Sequence, residues 1–307
     1  MILGVHHIGV TVRSIEAMLP LYETAAGLSR IDIGRARPAL AEDHSHGAFE
    51  SCMLAAPNAY VQLLQKGASA RKISEPSPIN RPGIRHFCIQ NHDCAKLERA
   101  VYHSGGTLIA PPLDLGTGNQ YAYARDREDN IIEIEGLPYA PAAQPTWIGH
   151  VAIVTENMDA SLAFFSELLR VPTNGRKMIG PTSQIDRMGG LSNARLEGAW
   201  LQASNMLLEF WQFHAPPYEG PVCRADPSEP GYSHIAFETD DLEGETARLL
   251  ALGCTAAEGL DEVPSLRSDF LKTRSGIMIQ LVEPRDPVVS LAALSDLGVC
   301  ARLEAGK

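Results

Sequence analysis

The chain has 307 residues, enough for two domains of ordinary size, each long enough to bury its own core. Hydrophobic residues at 45% and charged residues at 21% match a globular protein and exclude wholesale disorder, collagen and coiled coil. A net charge of -11 with no run of Lys or Arg removes the counterion-releasing contribution that a nucleic-acid or anionic-membrane surface would need, so the expected partner is a small-molecule substrate.

The opening segment MILGVHHIGVTV lacks a basic stretch, a long apolar run and a small-residue cleavage site, so it reads as a first strand and not a signal peptide. Apolar runs along the chain are broken well before the roughly 18 residues that a membrane span requires. These features make the cytoplasm the expected location. Six cysteines (Cys52, Cys88, Cys94, Cys223, Cys254, Cys300) show no CxxC spacing, which predicts free thiols in place of a zinc knuckle or a disulfide framework.

In chain order, residues 5–28 form a β-branched strand with one polar break, followed by an amphipathic helix. Short strand-like runs AFESCML and AYVQLLQ come next. A second strand and helix unit spans 83–106 and is followed by NQYAYAR and NIIEIEG. The Pro-rich LPYAPAAQPTW then interrupts the pattern. Residues 148–171 repeat the 5–28 unit, followed by ARLEGAWLQ and MLLEFWQF, and residues 231–254 repeat the 83–106 unit, followed by DFLKTR and GIMIQLVEP. The chain therefore reads as an α+β protein of four βαβββ modules paired as two tandem halves. The boundaries place an N-terminal domain at 1–137, a linker at 138–147, a C-terminal domain at 148–284 and a short helical tail at 285–307.

Strand alternation places His7, Gln62, His86 and Glu133 on the face opposite the helix-packing residues. In the second half His150, Glu209, His234 and Gln280 recur in the same register, at offsets of 143 to 148 residues. A lone mid-strand His is ordinarily a hydrogen-bonded core residue, whereas eight in-register His, Glu and Gln positions point to ligands. Two His with a carboxylate suit a divalent first-row metal, and an amide oxygen can fill a fourth place. His6, His92, His103 and His214 read as bland, and the His44/His46 pair reads as a surface feature. Glu135 shares the Glu133 face and is a fallback base, although a strand-end surface carboxylate is its favoured reading.

The stretches HIGVTV, GHVAIVTENMDASLAFF, SHIAFETDDLE and RDREDNIIEIEG give the sequence a resemblance to the vicinal oxygen chelate superfamily of glyoxalases, bleomycin-resistance proteins and extradiol dioxygenases. It covers nearly the whole chain to about residue 284. The resemblance implies half-barrels of two modules with a metal on each concave face. It implies one ligand set of His7, Gln62, His86 and Glu133, which ranks higher, and another of His150, Glu209, His234 and Gln280. The cofactor implied is a divalent ion, Fe, Mn, Co, Ni or Zn, and a homodimer is an expectation of the same resemblance. The chemistry implied first is isomerase or lyase, of the epimerase or glyoxalase type, through a stabilised enolate, with Glu133 or Glu209 as the base. An Fe(II) extradiol dioxygenase using Tyr123 is the alternative, weakened because no His stands around 114–116. A ligand-sequestering resistance protein is a third reading, with Trp200, Trp211, Phe213 and Tyr60 as its aromatic walls.

Overall fold

A computed structural model describes residues 1–31, 49–66, 76–220, 229–257 and 263–305. The first module contains β1 (Ile2–Val12), α1 (Ile15–Pro20), β2 (Ser29–Ile31), β3 (Phe49–Ala55) and β4 (Tyr60–Lys66). The second contains β5 (Gly83–Asn91), α2 (Cys94–His103), β6 (Thr107–Leu108), β7 (Gln120–Arg125) and β8 (Ile131–Gly136). In the third are β9 (Trp147–Val154), α3 (Met158–Leu169), β10 (Thr173–Ile179), α4 (Ser183–Gly189), β11 (Arg195–Gln202) and β12 (Leu207–Ala215). The fourth has β13 (Gly231–Thr239), α5 (Leu242–Ala251), β14 (Thr255–Ala256), β15 (Leu266–Lys272) and β16 (Met278–Pro284), and a final helix, α6, covers Val299–Ala305. His44, His46 and Cys223 lie outside the described residues.

Each module turns from its first strand into its helix at a polar residue that caps the helix. Ser14, Asp93, Asn157 and Asp241 each accept a hydrogen bond from the backbone N–H three residues on, which satisfies one of the donors a helix start leaves open. The helices then lay their apolar stripes on the sheets. Met18, Leu97, Phe165 and Leu249 are all buried in one continuous core that joins the two sheets.

The four-module, two-sheet α+β architecture is as expected from the sequence, but the modules pair differently. One eight-stranded sheet runs β14-β15-β16-β13-β1-β4-β3-β2, and the other runs β10-β11-β12-β9-β5-β8-β7-β6. The first module thus shares a sheet with the fourth, through the antiparallel register Ile8↔Ile235. The second shares a sheet with the third, through Phe87↔Val151. The Pro-rich segment therefore joins β8 to β9 within one sheet. The reason is that β1, β5, β9 and β13 are all apolar on the helix-packing face, so local patterning permits either pairing. The region between α3 and β11, which carried no element in the sequence reading, holds β10 and α4. Thr182 caps α4, and Gly190 closes it in the left-handed conformation.

Candidate metal centre

Exchanging the module partners redistributes the eight sequence-predicted ligands. Both glutamates now belong to one concave face and both glutamines to the other. The set expected from the first half, His7, Gln62, His86 and Glu133, is divided between the two sheets, and so is the set His150, Glu209, His234 and Gln280.

In the sheet of modules two and three, β5, β8, β9 and β12 bring His86, Glu133, His150 and Glu209 together. One ligand atom from each lies within 4.8 Å of all the others, and all four residues are buried. Glu133 Oε2 is 3.1 Å from His86 Nε2 and 2.9 Å from His150 Nε2. Glu209 Oε2 is 3.3 Å from His150 Nε2 and 3.9 Å from His86 Nε2. Ligand atoms held about 2.1 Å from a shared ion stand roughly 3 Å apart at right angles and roughly 4 Å apart across it, so these spacings fit one ion. The buried Glu209 Oε2 has no hydrogen-bond partner among the described residues, as expected of an acceptor built for a cation. Two imidazoles and two carboxylates form a donor set suited to a first-row divalent metal.

The surroundings set the charge state. Burial opposes charge on His150, but Glu209 and Glu133 outweigh it and raise its pKa to about 9. Burial likewise opposes charge on Glu133, yet hydrogen bonds from His150 and His86 hold its pKa down to about 2. Burial lowers the pKa of His86. That ring is steadied by edge contacts with Tyr123 and Trp211, at centroid distances of 5.1 and 5.4 Å, since its Nδ1 has no hydrogen-bond partner among the described residues. Burial pushes the Cys88 thiol well above its usual range, so it remains protonated beside the cluster.

Three features escaped the sequence reading. Trp200 lies opposite Glu209 in the β11–β12 ladder, and its Nε1 donates to Glu209 Oε1 at 2.9 Å. Glu135 is not a surface carboxylate. It is 6% exposed, accepts from Gln90 and Asn119, and is raised in pKa first by burial and then by Glu133. The four ligands lie at or below the floor of a cavity of about 1070 Å³, which Glu133, His150 and Glu209 line directly and which Ile185 and Met188 of α4 help to enclose. The Trp–Glu pair was in principle legible from hairpin register, whereas α4 is too short to show a helical period.

The other concave face presents a different chemistry. His7 Nε2 is 3.0 Å from His234 Nε2, and His7 Nδ1 is 2.7 Å from His6 Nδ1. His6 Nε2 donates to the Val289 carbonyl at 2.6 Å, and Ser233 Oγ is 3.0 Å from His234 Nδ1. This chain of contacts uses every imidazole nitrogen with all three rings neutral. Burial agrees, lowering His6 to about 4, His234 to about 3 and His7 well below its usual value. Gln62 and Gln280 add amides; Gln62 donates to Ser51, and the buried Oε1 atoms of both have no hydrogen-bond partner among the described residues. The tail closes this face. Tyr60 donates to the Ser290 carbonyl and Ser290 to Glu238. Without a carboxylate in the set, a divalent ion here would keep its charge uncompensated in a buried site. His6, which the sequence reading set aside as bland, is a member of this chain.

A family model described as the Glyoxalase/Bleomycin resistance protein/Dioxygenase superfamily matches residues 4–134 and again 147–281. The chain belongs to this superfamily. Among solved structures, it is similar to glyoxalase I from Zea mays, with a TM-score of 0.65, 17% identity and coverage of 95% of this chain and 96% of the other. It is also similar to a putative dioxygenase from Bacillus subtilis, with a TM-score of 0.58, 11% identity and coverage of 96% and 90%. At such identities the likeness is one of fold. No curated protein matches the chain.

Among the described residues of this superfamily member, no helix is long and apolar enough to cross a membrane.

Proposed function

We propose that the chain is a divalent-metal-dependent isomerase or lyase that holds two vicinal oxygens of a small substrate and moves a proton next to a carbonyl. The observation that carries this reading is the convergence of His86, Glu133, His150 and Glu209 under one large cavity. These four residues would hold the ion, which supplies Lewis-acid stabilisation of the negative charge that develops on the substrate oxygen.

The protein groups divide the remaining work. Glu209 is anchored by Trp200, which suits it to remain a fixed ligand. Glu133 has both imidazoles on Oε2, and its Oε1 accepts no hydrogen bond from a described residue. Because Glu133 lines the cavity, Oε1 is the atom placed to take the proton. Tyr123, buried in the wall, has its phenol pKa raised well above normal by burial and then by Glu133, so it serves as an O–H donor and not as a base. Side chains of β7, β12 and α4 line the cavity around these groups.

A three-residue facial triad is the usual protein share of a ring-cleaving iron site, whereas here a fourth protein donor, Glu209, would join the set that holds the ion. The presence of Glu209 therefore favours proton transfer over ring cleavage. The test is metal analysis of the purified protein together with deuterium exchange from solvent into 2-oxo substrates. One ion per chain with exchange supports the reading. Oxygen uptake with catechols and no exchange would overturn it.

A further inference from the structure

A second, smaller cleft of about 330 Å³ lies where the two sheets meet. The lead-in to β5, the passage from β9 into α3, the start of β13 and the β15–β16 turn all border it, so each sheet supplies part of the wall. The Tyr232 hydroxyl, on β13, donates to the Ile131 carbonyl at 2.6 Å and accepts from the Phe87 backbone at 3.3 Å, which ties the two sheets together beside it. None of the four metal ligands borders this cleft. The reason is strand alternation: Arg85 and His86 are neighbours on β5 and so point to opposite faces.

Positive charge is concentrated here. Arg81, Arg85 and Arg274 line the cleft, and Arg85 is only 7% exposed. Arg81 Nη1 and Arg85 Nη1 each donate to Ser77 Oγ at 3.1 Å, which holds the two guanidinium groups side by side. A hydroxyl orients the two cations but carries no charge to offset their repulsion. Arg81 Nε is buried with no hydrogen-bond partner among the described residues. Leaving a charged donor unmade is costly, so Arg81 calls for an acceptor in the cleft. The carboxylates that border it, Glu156 and Glu229, are exposed and make no ion pair with a described residue.

The planar fork of a guanidinium matches the oxygens of a phosphate, and two guanidiniums together balance a dianion. Beside the charged end, Ile84, Ile153 and Ile277 supply apolar wall for a short organic group. We propose that this cleft is a second ligand site, which takes a small phosphate monoester. Its phosphate would lie against Arg81 and Arg85 and its organic part along the isoleucines. The site stands apart from the metal centre and needs no metal.

Isothermal titration of the full chain with ethyl phosphate tests this, with inorganic phosphate and succinate in parallel at constant ionic strength. Ethyl phosphate should bind at one site per chain and more tightly than either of the other two. Arg81→Gln removes a charge-assisted contact and should weaken it about tenfold or more. Arg274→Gln alters an exposed position, which leaves the core undisturbed, and should weaken it several-fold. Lys177→Gln removes the cation that lines the larger cavity and should change nothing. His86→Ala should bind ethyl phosphate as the unaltered chain does, so the result stands whether or not the metal reading does. No saturable binding up to about 10 mM overturns the proposal, as does equal affinity in Arg81→Gln and Arg274→Gln. Tighter binding of inorganic phosphate or succinate, or loss of binding in His86→Ala, also overturns it.

Discussion

Trp200→Phe is the sharpest probe of the metal centre, because it deletes one hydrogen bond and keeps a ring in place. Trp200 Nε1 donates to Glu209 Oε1 at 2.9 Å, a charge-assisted bond within a partly buried pair. Bonds of this kind contribute about 1.5–3 kcal/mol, and the loss acts on a carboxylate that must hold its other oxygen toward the imidazoles. At about 1.4 kcal/mol per decade, the expected weakening of metal affinity is roughly 10- to 150-fold, which agrees with the general effect of removing a partner behind a ligand. Competition between the protein and a chromophoric chelator for Co²⁺ or Zn²⁺ measures it, with circular dichroism confirming the fold. Affinity unchanged to within about twofold in a folded variant would show that Glu209 is not a ligand, or that it needs no anchor.

His86→Ala should abolish metal uptake, whereas His234→Ala should leave one ion per chain; plasma emission analysis of dialysed samples distinguishes a single centre from two. Glu133→Gln should slow solvent exchange into substrate by about 10²- to 10⁴-fold, read by mass spectrometry. Stability of the metal-free protein should fall as pH drops below about 6.5, because the unfolded chain protonates His6, His7 and His234 while the native state, with His6 at about 4 and His234 at about 3, refuses the proton. Each ring contributes a slope of about 1.4 kcal/mol per pH unit in that window, measurable by urea titration. His150 acts in the opposite direction. Its stabilisation is complete below about 6.5 and is lost as pH rises through about 9. Gly9→Ala should destabilise by about 1–3 kcal/mol without touching metal uptake, since a β-carbon there would lie 2.2 Å from the His234 ring.

Much of the architecture was legible from local pattern. The four strand-to-helix units declare themselves by β-branched strands, a capping Ser, Asp or Asn, and an apolar helical stripe. Alternation alone placed His7, His86, His150 and His234 on the faces opposite the helices. The partner of each strand was not legible, because pairing β1 with β13 satisfies the same local demands as pairing it with β5. That choice is made by contacts between residues more than 200 positions apart, such as Ile8 paired with Ile235 in the β1–β13 ladder. Its effect on the site is large. In the expected pairing each set had two His, one Glu and one Gln, whereas the observed pairing gathers Glu133 and Glu209 in one place and leaves Gln62 and Gln280 in the other. The Trp200 anchor depends on hairpin register, and the cavity roof depends on a seven-residue helix with too few turns to announce itself.

The order of strands has a bearing on how the chain could be divided. His86, Glu133, His150 and Glu209 all come from one uninterrupted stretch, while the two extremities of the polypeptide meet to build the opposite sheet. A nick between Gly136 and Trp147 would send two donors to each fragment, so neither piece alone could chelate. Added cation would then act as an adhesive between separately produced fragments, making recovery of binding a direct reporter of their reassembly.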